Sequence, residues 1–252
     1  MEDRWILSRL ERTRAEIDRR IESYDFAHAA LGLYGFVYGE LCDWYLELVK
    51  PRLRAAEPEV GATLLYVLTQ TLAIAHPMIP FVTEEIYRYI PGAEGLLAAG
   101  LADAPAAAVD AGAEASVGRA IEAVQALRGW RDFAGVKAAA TVPARLAAEG
   151  YEETGEHVAR LARLSWSAEP DGADPVASVP IPGGAIEILP SDDVDLEGAQ
   201  RRVAAERAKL EAEIERAERK LGNEGFVAKA PAHVVAAERE KLARLRAELD
   251  AL

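Results

Sequence analysis

The 252-residue sequence predicts a mainly α protein in three parts: a helical bundle over residues 1–93, a small α+β module over 94–190, and a C-terminal antiparallel coiled-coil hairpin over 191–252. Three observations predict it. Apolar residues recur at helical spacing through residues 1–90, short apolar runs broken by Pro and Gly occupy residues 138–189, and two charged helical patterns with heptad seams close the chain.

The first helix is expected over Asp3–Ser23, with Trp5, Ile6, Leu10, Ile17 and Ile21 on one side and six arginines among the remaining positions. Asp25 can cap a second, long helix in which Ala30, Leu33, Val37, Leu41, Trp44 and Leu48 form the inward stripe and Tyr34, Tyr38 and Tyr45 border it. Gly32, Gly35 and Gly39 interrupt that helix at about 1 kcal/mol each, so close approach of a neighbouring helix is the expected compensation. A third helix covers Val60–Ala75 and ends at His76-Pro77. A fourth, capped near Thr83, covers Glu84–Ile90, with Glu84 and Glu85 complementing the dipole of its first turn. Four helices burying such stripes make a bundle.

Residues 94–113 are rich in Ala, Gly and Pro and read as a connector. A helix from Glu114 to Trp130 carries Val117, Ile121, Val124 and Leu127. Strands are expected at Ala138–Val142 with Arg145-Leu146, at Ser165–Ser167, at Ala177–Val179 and at Ala185–Leu189, with a short helix over Glu152–Leu164. Asp195 begins the final hairpin. On its first arm Val203, Leu210 and Ala217 recur every seven residues beside Arg207, Ile214 and Leu221; on the second, Val235, Leu242 and Leu249 recur beside Leu245 and Leu252. Gly222 or Asn223 can take the left-handed conformation that stops the first arm, and Pro231 suits the first turn of the second.

Composition narrows the class. The single Cys42 forms no internal disulfide, and the start carries no basic-then-apolar leader, so the expected compartment is the cytoplasm. Residues 63–82 contain no charged side chain, yet Thr63, Thr69, Gln70, Thr71, His76, Pro77 and Pro80 divide the run into a buried helix and a turn rather than a membrane span. The formal charge of −13 divides as −4 over residues 1–90, −7 over 91–190 and −2 over 191–252. A polyanion partner would have to meet local basic stripes.

The tip of the hairpin reads LGNEGFVAKAPAHVVAAEREKL over residues 221–242, and this wording resembles the C-terminal coiled-coil arm of bacterial valyl-tRNA synthetases. Upstream, WILSRL at 5–10, CDWYLELVK at 42–50 and HPMIPFVTEEIY at 76–87 resemble, in this order, the anticodon-binding helical domain of the valine, isoleucine and leucine synthetases. The middle part resembles, more loosely, the small domain that joins bundle to arm. No HIGH-like, KMSKS-like, G-x-x-x-x-G-K or G-x-G-x-x-G signature is present. The resemblance implies a non-catalytic tRNA-recognition portion, with Met1 added or fortuitous, that contacts the anticodon and the outer corner of valine tRNA. It also implies a missing catalytic domain of the same enzyme as partner, ATP and magnesium used there and not here, and a monomer.

The RNA-facing candidates on the bundle are Arg9, Arg12, Arg19, Arg20, Lys50, Arg52 and Arg54, together with exposed aromatics able to stack on unpaired bases. The same arginines equally suit a solvated helix face partnered by Glu11, Glu16 and Glu22. On the arm the candidates are Arg201, Arg202, Lys209, Arg216, Arg219, Lys220 and Lys229, whose alternation with glutamates also suits a charged coiled-coil surface. Gly222, Asn223, Phe226 and Pro231 match the tip of the family's arm, Phe226 as a plug or a stacking residue. Asp43, Trp44, Tyr45, Glu47 and Lys50 fall largely on different helix faces and read as Trp44 buried beside a partnered Asp43. The scattered His28, His76, His157 and His233 and the lone Cys42 show no metal-ligand spacing, so neither metal nor catalytic residue is assigned. Two rival readings remain: a freestanding coiled-coil interaction protein whose seam pairs between chains, and the same region of an isoleucyl or leucyl enzyme.

Overall fold

The computed structural model describes residues 1–95, 97, 107–167, 174–191, 196–223, 225 and 231–250. Helix α1 (Glu2–Glu22) buries Trp5, Ile6, Leu10 and Ile17, the expected stripe. Asp25 caps α2 (Phe26–Tyr34) by accepting from the His28 amide. The helix then continues through a π-helical stretch (Gly35–Tyr45) into α3 (Leu46–Arg54), so that residues 26–54 form one rod.

That stretch corrects the inward stripe. In a π-helix each N–H reaches five residues back instead of four, so more residues fill each turn and the buried side shifts in phase. The fully buried positions step from Ala29 to Phe36 to Tyr45 and then to Leu48 and Val49. Ala30 is exposed, and Leu33, Val37, Leu41 and Trp44 are half-buried. Tyr45, a border residue by sequence, sits in the core with its hydroxyl donating to Asp3 at 2.7 Å. The glycines are corrected too. A side chain at Gly35 or Gly39 would enter open space, and one at Gly32 would meet only Ile17, at 3.9 Å. Gly32 and Gly35 border a groove, and no neighbouring helix comes close to Gly35 or Gly39.

Helix α4 (Pro58–Ala75) buries Val60, Val67 and Ile74 and ends at His76 as expected. Helix α5 (Pro80–Tyr87) begins earlier than predicted because Pro80, lacking an N–H, fits its first turn. Thr83 is therefore inside the helix and caps nothing; its hydroxyl lies 3.1 Å from the Ile79 and Pro80 carbonyls and 2.9 Å from His76 Nδ1. Glu84 and Glu85 fall past the first turn. Glu84 accepts from the Leu97 amide at 2.8 Å, and Glu85 pairs with Arg88 at 2.9 Å.

Asp110 caps α6 (Ala111–Ala134), which thus starts before Glu114: its Oδ1 accepts from the Ala113 amide at 2.9 Å. One helix serves two cores. Ala113 and Val117 pack with Trp5, Leu10 and Phe36, whereas Ala123, Val124 and Leu127 pack on the sheet.

That sheet has the order β2-β1-β4-β3. Strand β1 (Val142–Ala148) runs parallel to β2 (Leu164–Trp166) and antiparallel to β4 (Gly184–Ile188), which pairs with β3 (Ala177–Ile181). The strand expected from Ala138 starts at Val142 instead, because the buried Arg131 holds the Lys137 and Ala140 carbonyls at 3.0 and 2.8 Å and fixes residues 138–139 in a turn. Helix α7 (Gly155–Ala162) stops short of Leu164. Arg163 takes a left-handed φ of 54°, and Leu164 enters the sheet opposite Val142. At the β3–β4 turn Gly184 has a φ of 151°, and a Cβ there would lie 2.2 Å from the Ala147 carbonyl oxygen, so only glycine fits.

Helices α8 (Leu196–Leu221) and α9 (Ala232–Asp250) fold back antiparallel: Lys220 meets Glu238 at 2.7 Å and Glu218 meets Arg246 at 2.7 Å. Leu210, Ala217, Val235 and Leu245 are buried between them. Ile214, Leu221, Leu242 and Leu249 are half-buried, while Arg207 leaves the seam and pairs outside with Glu211 at 3.3 Å. Gly222 is not left-handed; its N–H bonds to the Glu218 carbonyl at 2.7 Å and prolongs the helical turn. Pro231 stands just before α9, its carbonyl accepting from Val234 and Val235 at 2.9 and 3.3 Å. Among the described residues, no helix is long and apolar enough to cross a membrane.

Candidate nucleic-acid interface

Three of the four α1 candidates come together. Arg9, Arg12 and Arg19 line an open groove of about 670 Å³ between α1 and the rod, together with Thr13, Glu16 and Glu40; its floor is Ile17, Gly32, Gly35 and Phe36. Helical spacing puts the arginines on one face of α1, and the glycines of the rod leave the space they look into. An apolar floor beneath a rim of donors and acceptors fits a flat, partly polar ligand such as a nucleobase next to a phosphate.

Each arginine already has a carboxylate. Arg9 grips Glu40 with two bonds, Nε to Oε2 and Nη2 to Oε1, both 2.8 Å, and lies 3.6 Å from Glu114. The Glu40 hydrogen bonds raise the Arg9 pKa against its partial burial, with the Glu40 and Glu114 charges adding to them. Arg12 Nε donates to Glu114 at 2.6 Å, and Arg19 pairs with Glu16. Burial pushes the Glu114 carboxyl up, but bonds from Ser8 and Arg12 and the charges of Arg12 and Arg9 outweigh it and leave the pKa lowered. A phosphate entering this groove competes with carboxylates for guanidinium groups that are held in place.

The other bundle candidates scatter. Arg20 turns to Glu16 at 2.7 Å and Asp25 at 2.8 Å. Lys50 pairs with Glu47. Arg52 ties the end of the rod together, 2.8 Å from Glu57 and 2.9 Å from Asp3, and these bonds raise its pKa. Arg54 is exposed at the last turn of α3. On the arm, Arg201, Lys209, Arg216, Arg219 and Lys220 are all exposed, with Arg219 held by Glu215 at 2.7 Å and Arg216 Nε 3.3 Å from the Ala212 carbonyl. The side chain of Arg202, and Phe226 and Lys229 altogether, lie outside the described residues.

Two features escaped the sequence. Glu40 and Glu114 stand 31 and 105 residues from Arg9, beyond any local pattern. Tyr34 and Tyr38, one turn apart on the rod, stack at 4.4 Å with a 32° tilt and are 61% and 55% exposed, the aromatic surface that only their spacing foreshadowed. Asp43 is exposed and makes no ion pair among the described residues, so the expected partnered aspartate beside Trp44 is absent; Arg128 stacks on Trp44 at 5.5 Å instead.

Comparison with known proteins gives two family matches. Residues 3–146 match the anticodon-binding domain of tRNA ligases, and residues 195–252 match the valyl-tRNA synthetase tRNA-binding arm. The valine–tRNA ligase of Mycolicibacterium paratuberculosis is 35% identical over 254 residues, covering 98% of this chain and 29% of the ligase. Those of Dehalococcoides mccartyi and Streptomyces avermitilis are each 36% identical, over 260 and 265 residues, covering 96% and 98% of this chain and 30% and 29% of the ligases. The chain thus spans about three tenths of the length of these relatives.

Proposed function

The chain belongs to the anticodon-binding family of tRNA ligases and corresponds to the C-terminal part of valyl-tRNA synthetases, and from that premise we propose that it binds valine tRNA and orients it without catalysing its charging. The observation that carries the reading is the presence, in one chain and in order, of the anticodon-binding and arm matches, the first of them containing a groove rimmed by Arg9, Arg12 and Arg19. In this proposal residues 1–93 meet the anticodon through that groove and the Tyr34–Tyr38 pair, and residues 191–252 meet the outer corner through the arm's basic side chains. Holding both ends positions the 3′ end in a catalytic site elsewhere in the ligase, where ATP and magnesium would act. The protein would work as a monomer in the cytoplasm. The intramolecular packing of Leu210, Ala217, Val235 and Leu245 supports that state over a seam shared between chains.

Fluorescence anisotropy with valine tRNA and a non-cognate tRNA, at low and near-physiological salt, tests the proposal. Preference for valine tRNA that weakens as salt rises is the expected result. Equal affinity for both RNAs, or no binding even at low salt, overturns it. Removal of residues 191–252 should lower affinity for valine tRNA; an unchanged isotherm would remove the arm from the mechanism.

A further inference from the structure

The rod borders two further hollows. One, of about 520 Å³ between the rod and α4, is walled by Val37, Leu41, Leu64 and Leu68 and carries no charged residue that would select a ligand. The other, of about 530 Å³, lies where the rod meets α6 and is lined by Cys42, Asp43, Trp44, Glu47, Gln125 and Arg128. Its volume falls within the range of small-ligand sites. Its polar groups are also unused. Arg9, Arg12, Arg19, Arg20 and Arg52 each hold a carboxylate. By contrast, the side chains of Asp43, Gln125 and Arg128 are exposed and make no hydrogen bond or ion pair among the described residues, although Asp43 and Arg128 share one cleft. Arg128 rests instead on the Trp44 ring, 5.5 Å from its centroid. That ring is anchored, because it packs against both the bundle core and the sheet-module core. A guanidinium stacked on a ring keeps its in-plane N–H donors for a second partner.

These groups set the chemistry of the ligand. With Asp43 and Glu47 beside Arg128, the cleft repels a bare phosphate. The Arg128 fork suits two adjacent acceptors, and the Asp43 carboxylate suits two adjacent N–H donors. Guanine is the one RNA base that offers both, O6 and N7 on one edge and N1–H and N2–H on another. Adenine places a donor beside its N7, and cytosine and uracil lack the adjacent pair of donors. We propose that the cleft binds guanine, with Arg128 on O6 and N7, Asp43 on N1–H and N2–H, and Trp44 fixing the plane of the guanidinium. The base can be carried by RNA or by a free nucleotide. Neither source depends on recognition of valine tRNA, so this site and the proposed function stand or fall separately.

Calorimetric titration of the chain with GMP and with AMP, and anisotropy titration with the labelled single-stranded RNAs UUGUU and UUAUU, test the proposal. Guanine is expected to be preferred over adenine about tenfold or more in at least one of the two pairs. Preference for GMP shows that a free nucleotide suffices, and preference confined to UUGUU assigns the base to RNA; both support the site. Arg128→Lys keeps the charge but removes the fork, and Asp43→Asn removes the two-toothed acceptor. Each should reduce the preference about fivefold while leaving the melting temperature unchanged, because both side chains are exposed. Arg88→Lys on α5 should leave the preference intact, since Arg88 lies outside the cleft and pairs with Glu85. No preference for guanine in either pair overturns the proposal. So does a preference left undiminished by either Arg128→Lys or Asp43→Asn, which would place the base elsewhere on the chain.

Discussion

The two grooves of the bundle share one helical rod and differ in everything else. On the α1 side three arginines and their carboxylates rim an apolar floor; on the α4 side the walls are leucines and a valine without a charge among them. The π-helical stretch lies between them and serves both, presenting Gly35, Phe36 and Glu40 to one side and Val37, Leu41 and Cys42 to the other. The difference bears on how a chain of net charge −13 would address a polyanion in the proposed reading. Arg9, Arg12 and Arg19 are gathered in one groove and each is held by a carboxylate, so binding there would exchange one anion for another, while the second groove offers no charge at all.

The largest expected effect breaks the shared element. Phe36, 2% exposed beneath the charged groove, should cost about 3–4 kcal/mol when replaced by alanine, measured by urea denaturation. Leu68→Ala in the apolar groove should stay within about 0.5 kcal/mol in the same assay. Similar costs for the two would mean that the apolar groove is closed in solution. Next, Arg9→Glu should weaken valine tRNA binding about tenfold and lower its salt dependence by about one phosphate contact, with Leu68→Glu neutral. If the two variants lose affinity alike, the grooves do not divide their partners by charge. Glu40→Gln should cost about 1 kcal/mol of stability while raising tRNA affinity about threefold, because it frees the Arg9 fork. Weaker binding would make Glu40 a contributor to the RNA contact instead of a competitor.

A last prediction concerns the joint between the bundle and the sheet module. Burial opposes ionisation of Glu2, yet its hydrogen bond to His157, its own backbone and the His157 and amino-terminal charges hold its pKa down to about 2. A carboxylate with a lowered pKa contributes stability above its unfolded value, about 4.5, and loses it as pH falls toward 2. Thermal melts between these limits should therefore fall more steeply for the native chain than for His157→Gln; parallel curves would remove the pair from the joint.

Much of this was legible in the sequence because it is local. The α1 stripe, the Asp25 cap, the end of α4 at His76 and the antiparallel arm follow from spacing, capping and Pro placement. Three of the differences share one cause, a distant partner overriding a local preference. Arg131 took the carbonyls of residues 137 and 140 and delayed β1; Leu164 was drawn from a helix into β2 by Val142; the π-helical register buried Tyr45, which reaches Asp3.

For the candidate interface the division is the same. Sequence alone determined which residues carry charge and that Arg9, Arg12 and Arg19 share a face, because helical periodicity is a property of neighbours along the chain. Only tertiary structure decided that this face looks across glycines at Glu40, that Arg20 and Arg52 turn instead to Asp25 and to Asp3 and Glu57, and that the rod carries an apolar groove behind it. Ion pairs and grooves form between segments far apart in sequence, and their energies are set by the distance and burial that packing creates.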